Sequence, residues 1–306
     1  MEENVLHLEL ILTMECNANC DYCYQNGAEK VPDMDEEFID KLYEKIKSEE
    51  YYNKFVIALF GGEPTLAEDK ILYLLEKLEN LKDSKVFRFT MPTNAIDTDA
   101  VLRIKKAINK RGWEVSFTLS NKEDLTLSNI PDEILIESSY SFIFNSSNYT
   151  SITEDLIDTL KNSKLGGGIV IKPDVYSDLS SIPASDVSNI LKLVADKKAF
   201  FNVNLTNPDA TACVMDDLER VTVFSTGEFA MCTRMTMGCY EDGYIGHIDT
   251  TTFQEAVANR IELASQISET GMCLCKTQAA IESANYVDEI IQATDGIYDG
   301  LVVAKD

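Results

Sequence analysis

The stretch Thr13-Met14-Glu15-Cys16-Asn17-Ala18-Asn19-Cys20-Asp21-Tyr22-Cys23 constrains this chain more than any other. Its three cysteines, spaced C-x3-C-x2-C, come after the largely apolar run Val5 to Leu12, which reads as a short buried strand. The thiols therefore belong to a loop at a strand's C-terminal end. A tight loop of thiolates suits a soft metal, and three of them satisfy three irons of a cubane cluster while leaving the fourth iron open to a small molecule. A closed zinc site would take a fourth Cys or His at short spacing. Here the next thiol is Cys213, and the histidines are His7 and His247 alone.

Beyond the loop, strand and helix patterns alternate. Met34 to Ile46 places Phe38, Ile39, Leu42, Tyr43 and Ile46 at helical spacing behind the acidic first turn Asp35-Glu36-Glu37. Phe55 to Phe60 is a continuous apolar strand running into Gly61-Gly62-Glu63-Pro64-Thr65. Asp69 to Leu81 and Asp99 to Lys110 are helical, Val86 to Thr90 is a strand succeeded by Thr93-Asn94, and Glu114 to Leu119 is a strand ending at Ser120-Asn121. Further on, Ile134 to Ser138, Tyr140 to Phe144, Gly168 to Ile171 and Phe200 to Leu205 read as strands, with helices at Glu154 to Asn162 and Asp186 to Ala195. Apolar strands alternating with amphipathic helices predict an α/β fold with a parallel sheet covered on its outer face. The count predicts a partial (β/α)6 TIM-like barrel, since a closed eightfold barrel takes about 250 residues. Reactive groups in such barrels gather at the C-terminal ends of the strands. The cysteine loop, Gly61 to Glu63, Thr93-Asn94 and Ser120 all fall at such ends.

The cysteine spacing, with aromatic Tyr22 immediately before Cys23, resembles the signature of the radical S-adenosylmethionine (SAM) superfamily. Gly61-Gly62-Glu63-Pro64 resembles that family's glycine-rich motif, in which glycines let the backbone approach a ligand closely. The resemblance implies a [4Fe-4S] cluster on Cys16, Cys20 and Cys23, and a SAM site drawing on Tyr22, Gly61, Gly62 and Glu63. Asn94 stands where relatives often carry Thr-Asn-Gly, with Ala95 here in place of the glycine; it is a SAM contact or a turn-forming residue. Ser120 is a candidate hydrogen-bond partner for the ribose, or a cap for the next helix. The implied chemistry is reductive cleavage of SAM to a 5′-deoxyadenosyl radical, with an electron donor such as flavodoxin or ferredoxin.

From about Thr206 the pattern changes. Cys213, Gly227 and Cys232 stand at C-x13-G-x4-C, around a predicted hairpin with Thr226-Gly227 in its turn. Cys273 and Cys275 come later, then a helical stretch Thr277 to Ile291. This spacing resembles the auxiliary-cluster modules called SPASM and Twitch, and the cysteine count suits the shorter Twitch form. The expected organisation is a partial barrel over 1–205 and a small α+β Twitch-type domain over 206–306. The resemblance implies a second [4Fe-4S] cluster on Cys213, Cys232, Cys273 and Cys275, a structural zinc being the alternative. Cys239 is left over, as a hydrogen-atom donor to a substrate radical, an inert thiol or a fifth ligand candidate.

Composition narrows the partners. Lys+Arg of 27 against Asp+Glu of 52 gives a formal charge of -25, which repels phosphate backbones and anionic lipid surfaces. No nucleic acid and no membrane is expected, and a cationic substrate is favoured. Without a signal-peptide pattern the chain is expected to be cytoplasmic, where eight cysteines read as ligands or catalytic thiols rather than disulfides. The barrel begins near residue five, so no leader-binding module is expected before it. The resemblance to Twitch and SPASM enzymes implies a ribosomally made peptide as substrate, modified by epimerisation or cross-linking for example. Dehydrogenation or epimerisation of an aminoglycoside-type small molecule is the alternative, and a non-catalytic iron-sulfur carrier the alternative of another class.

Overall fold

The computed structural model describes residues 4–23, 25, 30–120, 127–173, 181–196, 200–201, 219–233 and 243–270. By internal contact the chain forms two compact units. One comprises Met1–Asn19, Gln25–Leu119 and Val214–Glu269, the other Cys20–Tyr24, Ser120–Cys213 and Thr270–Asp306.

In the first unit, strands β1 (Val5–Thr13), β2 (Lys54–Gly61), β3 (Val86–Thr93) and β4 (Glu114–Ser120) alternate with helices α1 (Glu36–Ser48), α2 (Glu68–Glu79) and α3 (Thr98–Lys110). Neighbouring strands in the order β1-β2-β3-β4 pair in parallel. Their alternate residues are buried: Leu6, Leu8, Leu10 and Leu12; Phe55, Ile57 and Leu59; Phe87, Phe89 and Met91; Val115, Phe117 and Leu119. A two-residue period with one apolar face is the sheet's side of the core. The helices supply the other side through stripes such as Phe38, Ile39, Leu42 and Ile46 on α1, and Ile71, Leu74, Leu75 and Leu78 on α2. Burial of each such side chain contributes about 1.5–3 kcal/mol. Helix starts are set locally: the Asp35 side chain accepts from Phe38 N and the Asp97 side chain from Ala100 N.

The second unit contains α4 (Asp132–Leu135), β5 (Ser138–Phe144), α5 (Glu154–Asn162), β6 (Ile169–Pro173), α6 (Ala184–Asp196) and β7 (Phe200–Phe201), with β5, β6 and β7 paired in parallel. One expectation is corrected here. Ile134 to Ser138 is not a strand: residues 132–135 are a short helix led by Pro131, Asp132 and Glu133, and Ser138 Oγ donates to Ile134 O. The helix-start residues prevail over a run of branched apolar ones.

The remaining described elements, β8 (Arg220–Val223), β9 (Glu228–Ala230), β10 (Tyr244–His247) and α7 (Phe253–Thr270), lie in the first unit. β8 and β9 form the predicted antiparallel hairpin, and Gly227 takes φ +102 in its turn with the His247 ring against its α-carbon. β8 also pairs in parallel with β1, extending the first unit's sheet. Lys45 Nζ donates to Ile248 O at 2.8 Å and lies over Phe229 and Phe253, tying α1 to this addition. The expected strand at 200–205 is described only as β7, and the expected helix at 277–291 lies outside the described residues. Among the described residues no helix is long and apolar enough to cross a membrane.

Candidate active site

Parallel pairing puts the C-terminal ends of β1, β2 and β3 along one edge of the first unit, and the cysteine loop leaves from the end of β1. Backbone bonds fasten its first residues to β2: Gly62 N donates to Thr13 O and Glu63 N to Glu15 O, both at 2.8 Å. The approach is so close that side chains have no room. A Cβ on Gly61 would lie 2.1 Å from Thr13 O, and one on Gly62 would lie 2.2 Å from Glu15 O. Gly61 also takes φ +144. The glycines thus admit the backbone of residues 13–15, where the motif by itself suggests room for a ligand. Gln25 adds a further tie, donating from Nε2 to Gly61 O at 3.1 Å.

Glu63 is buried, and its carboxylate is a hub. Oε1 accepts from Thr65 N at 3.2 Å, Thr65 Oγ1 at 2.8 Å and Thr93 Oγ1 at 2.8 Å, while Oε2 accepts from Asn94 N at 2.8 Å. The hub joins the end of β2 to the end of β3. Asn94 then reaches back to the loop: its Nδ2 donates to Asn17 Oδ1 at 2.7 Å and to Cys16 Sγ at 3.9 Å. Ala95 adopts φ +51, the left-handed conformation that glycine takes without strain. Gln25 and Asn17 carry no signal in the sequence, because their contacts with Gly61 and Asn94 span 36 and 77 positions that no local spacing marks.

Cys16 is exposed, and its Sγ also accepts from Ala18 N at 3.4 Å. Cys20 and Cys23 are half-buried in the segment that packs with the second unit, joined by a turn in which Cys23 N donates to Cys20 O at 3.0 Å. Tyr22, in the same segment, is hydrogen-bonded to the Cys20 side chain. Burial first, and the neighbouring Cys20 second, push its phenol well above the usual range. Tyr140 on β5 is pushed up to about 12 by burial. Both hydroxyls therefore stay protonated at neutral pH. Ser120 is the last residue of β4.

Among the described residues no three His, Cys, Asp or Glu side chains are already gathered at metal-holding separation. The donor set nevertheless fits a cubane cluster: three thiols fall within eight residues of one loop, its first turn is anchored, and Cys16 Sγ receives N–H donors. Cys232 lies just past β9 and packs with Val31 and Phe60 on a buried cluster of Ile11, Met14, Phe224 and Ala230, beside the start of the cysteine loop. Cys213, Cys239, Cys273 and Cys275 lie outside the described residues. An open depression of about 610 Å³ in the second unit, lined by Leu127, Asp132, Asp155, Asp158 and Lys164 among others, holds none of the expected site residues.

Residues 10–111 match the Radical SAM superfamily, a span that includes the cysteine loop, the Gly61–Glu63 turn and Asn94. The match covers a third of the chain, and the family it names implies SAM and a [4Fe-4S] cluster. Several solved structures share the fold. Native anSMEcpe with bound AdoMet and Kp18Cys peptide is 16% identical, with a TM-score of 0.63, over 95% of this chain and 100% of that one. BtrN in complex with AdoMet and 2-DOIA is 12% identical, with a TM-score of 0.51, over 89% of this chain and 93% of that one. Streptococcus suis SuiB bound to precursor peptide SuiA is 16% identical, with a TM-score of 0.52, over 81% of this chain and 63% of that one. These likenesses establish the partial TIM-barrel fold. A search of curated protein sequences returns no match.

Proposed function

We propose that this enzyme cleaves SAM reductively at a cluster held by Cys16, Cys20 and Cys23, and that the radical so produced takes a hydrogen atom from a peptide. The observation that carries the reading is the family-matched segment, in which the cysteine loop is fastened to the Gly61–Glu63 turn by two 2.8 Å backbone bonds. When bound, the cluster and SAM supply a 5′-deoxyadenosyl radical, a reaction that belongs to the cofactors. The chain's residues bind and orient. The three thiols are the ligands, and the glycine turn and Glu63 hub hold the loop still while it closes on its load. Tyr22, Gly61, Gly62, Glu63, Asn94 and Ser120 surround SAM in this reading, with Glu63 acting through its hub. The expected electron donor is a flavodoxin or ferredoxin.

Peptide modification is supported by the end-to-end likeness to anSMEcpe, a structure that holds a peptide as well as AdoMet. The second reading, oxidation or epimerisation of an aminoglycoside-type molecule, draws on BtrN with 2-DOIA at a lower TM-score. In both, residues 206–306 carry an auxiliary [4Fe-4S] cluster on Cys213, Cys232, Cys273 and Cys275, and Cys239 is the candidate donor of a hydrogen atom to the substrate radical. Substrate class is tested with reduced, reconstituted enzyme and SAM. Candidate peptides encoded beside the gene should accelerate 5′-deoxyadenosine formation and gain or lose mass in step with it. Acceleration by an aminocyclitol instead, with every peptide inert, rejects the peptide reading.

A further inference from the structure

We infer that Asn94 is a positioning residue for the Cys16 thiolate, donating an amide N–H to its sulfur and setting how readily a cluster held there accepts an electron. The inference rests on the assignment of Cys16 as a cluster ligand, but it gives Asn94 a role distinct from contact with SAM.

The orientation of the Asn94 amide is set by its partners. Ile96 N donates to Asn94 Oδ1 at 2.9 Å, which fixes the carbonyl end, so the opposite end facing Cys16 and Asn17 is the NH2 group. Its two N–H groups have two acceptors, Asn17 Oδ1 at 2.7 Å and Cys16 Sγ at 3.9 Å. The backbone beneath is held on both sides. Asn94 N is bound by the buried Glu63 carboxylate at 2.8 Å, Ala95 N donates to Thr93 Oγ1 at 3.0 Å, and Ala95 holds φ +51 against its own preference. A non-glycine residue keeps that conformation only where its surroundings over-determine it. The result is an amide aimed at the first cysteine from a neighbouring strand end, joining the N–H of Ala18 on the same sulfur.

Donors to a ligand sulfur stabilise the more negative, reduced state of a cluster and so raise its reduction potential. Removing the Asn94 N–H should therefore make the cluster harder to reduce. A residue that contacted only SAM would leave the potential unchanged when SAM is absent.

The test is a mediator titration, without SAM, of the full reconstituted chain, tracking the electron paramagnetic resonance signal that is missing from Cys16→Ala protein. Asn94→Ala should move the midpoint to more negative potential while iron content stays at the unsubstituted level. Asn94→Asp should move it further, because Asp keeps the acceptor for Ile96 N but turns an anionic oxygen toward the sulfur. If Asn94→Ala fails to hold iron, Asn94→Asp decides, since it preserves the turn. Unshifted midpoints in both variants overturn the inference and leave the proposed function standing. Absence of a Cys16-dependent signal in the unsubstituted protein overturns both.

Discussion

At the scale of single residues, the site is governed by close backbone approach. Gly62 has no alternative, because a Cβ would meet Glu15 O at 2.2 Å and a carbonyl cannot swing away as a side chain can. Gly62→Ala should cost about 1–3 kcal/mol in denaturant unfolding, the range for forced overpacking. It should also lower iron uptake, because the displaced segment carries Cys16. Gly112→Ala is the control: φ +77 strains an alanine there, but nothing lies within 4 Å, so a loss of about 1 kcal/mol should leave iron binding untouched. An unaltered iron content in Gly62→Ala would refute the anchoring role. Ala95 is the converse case. The left-handed conformation costs a non-glycine residue roughly 1–2 kcal/mol, and glycine's extra chain entropy gives part of that back. Ala95→Gly should therefore raise stability by up to about 1 kcal/mol, and a measured loss would contradict the strain assigned to φ +51.

At the scale of elements, β1 is held on its second side by β8 through a nearly buried ion pair on the face opposite the apolar core. Arg220 Nη1 donates to Glu9 Oε1 at 2.6 Å and Thr222 Oγ1 to Glu9 Oε2 at 2.8 Å, and the register row of Glu9 and Thr222 continues through Ala58, Thr90 and Ser116. Removing one partner leaves a buried charge uncompensated. Arg220→Ala should cost about 3 kcal/mol, the lower end for such pairs because Arg220 is partly exposed. Adding Glu9→Gln should restore part of the loss, and a neutral Arg220→Ala would show the pair to be incidental. β1 to β4 and their helices are legible in the sequence because a continuous apolar strand and a 3.6-residue stripe are local signals. The hairpin at 221–232 is legible for the same reason, through Thr226-Gly227. The parallel pairing of β8 with β1 is not, since Glu9 and Arg220 stand 211 positions apart and neither is apolar. The site divides the same way. The three cysteines and two glycines declare themselves by type and spacing, whereas the Glu63 hub needs Thr93, thirty positions away, and the Asn94 contact needs Cys16, seventy-eight away.

At the scale of the whole molecule, the proposal requires two clusters on one chain. Iron and sulfide near eight of each per chain are expected after reconstitution, and Cys232→Ala should lower both by about half, since a cubane holds four irons. A content near four in the unsubstituted protein would remove the auxiliary cluster from the account. The formal charge of -25 should leave the protein without measurable affinity for duplex DNA at physiological salt. The central claim is tested most directly by 5′-deoxyadenosine formation from SAM by the reduced, reconstituted protein, with and without the Cys16→Ala, Cys20→Ala, Cys23→Ala triple substitution. The unsubstituted protein should form it slowly and the triple variant not at all while keeping about half the iron; undiminished SAM cleavage by the triple variant would rule out Cys16, Cys20 and Cys23 as the ligands.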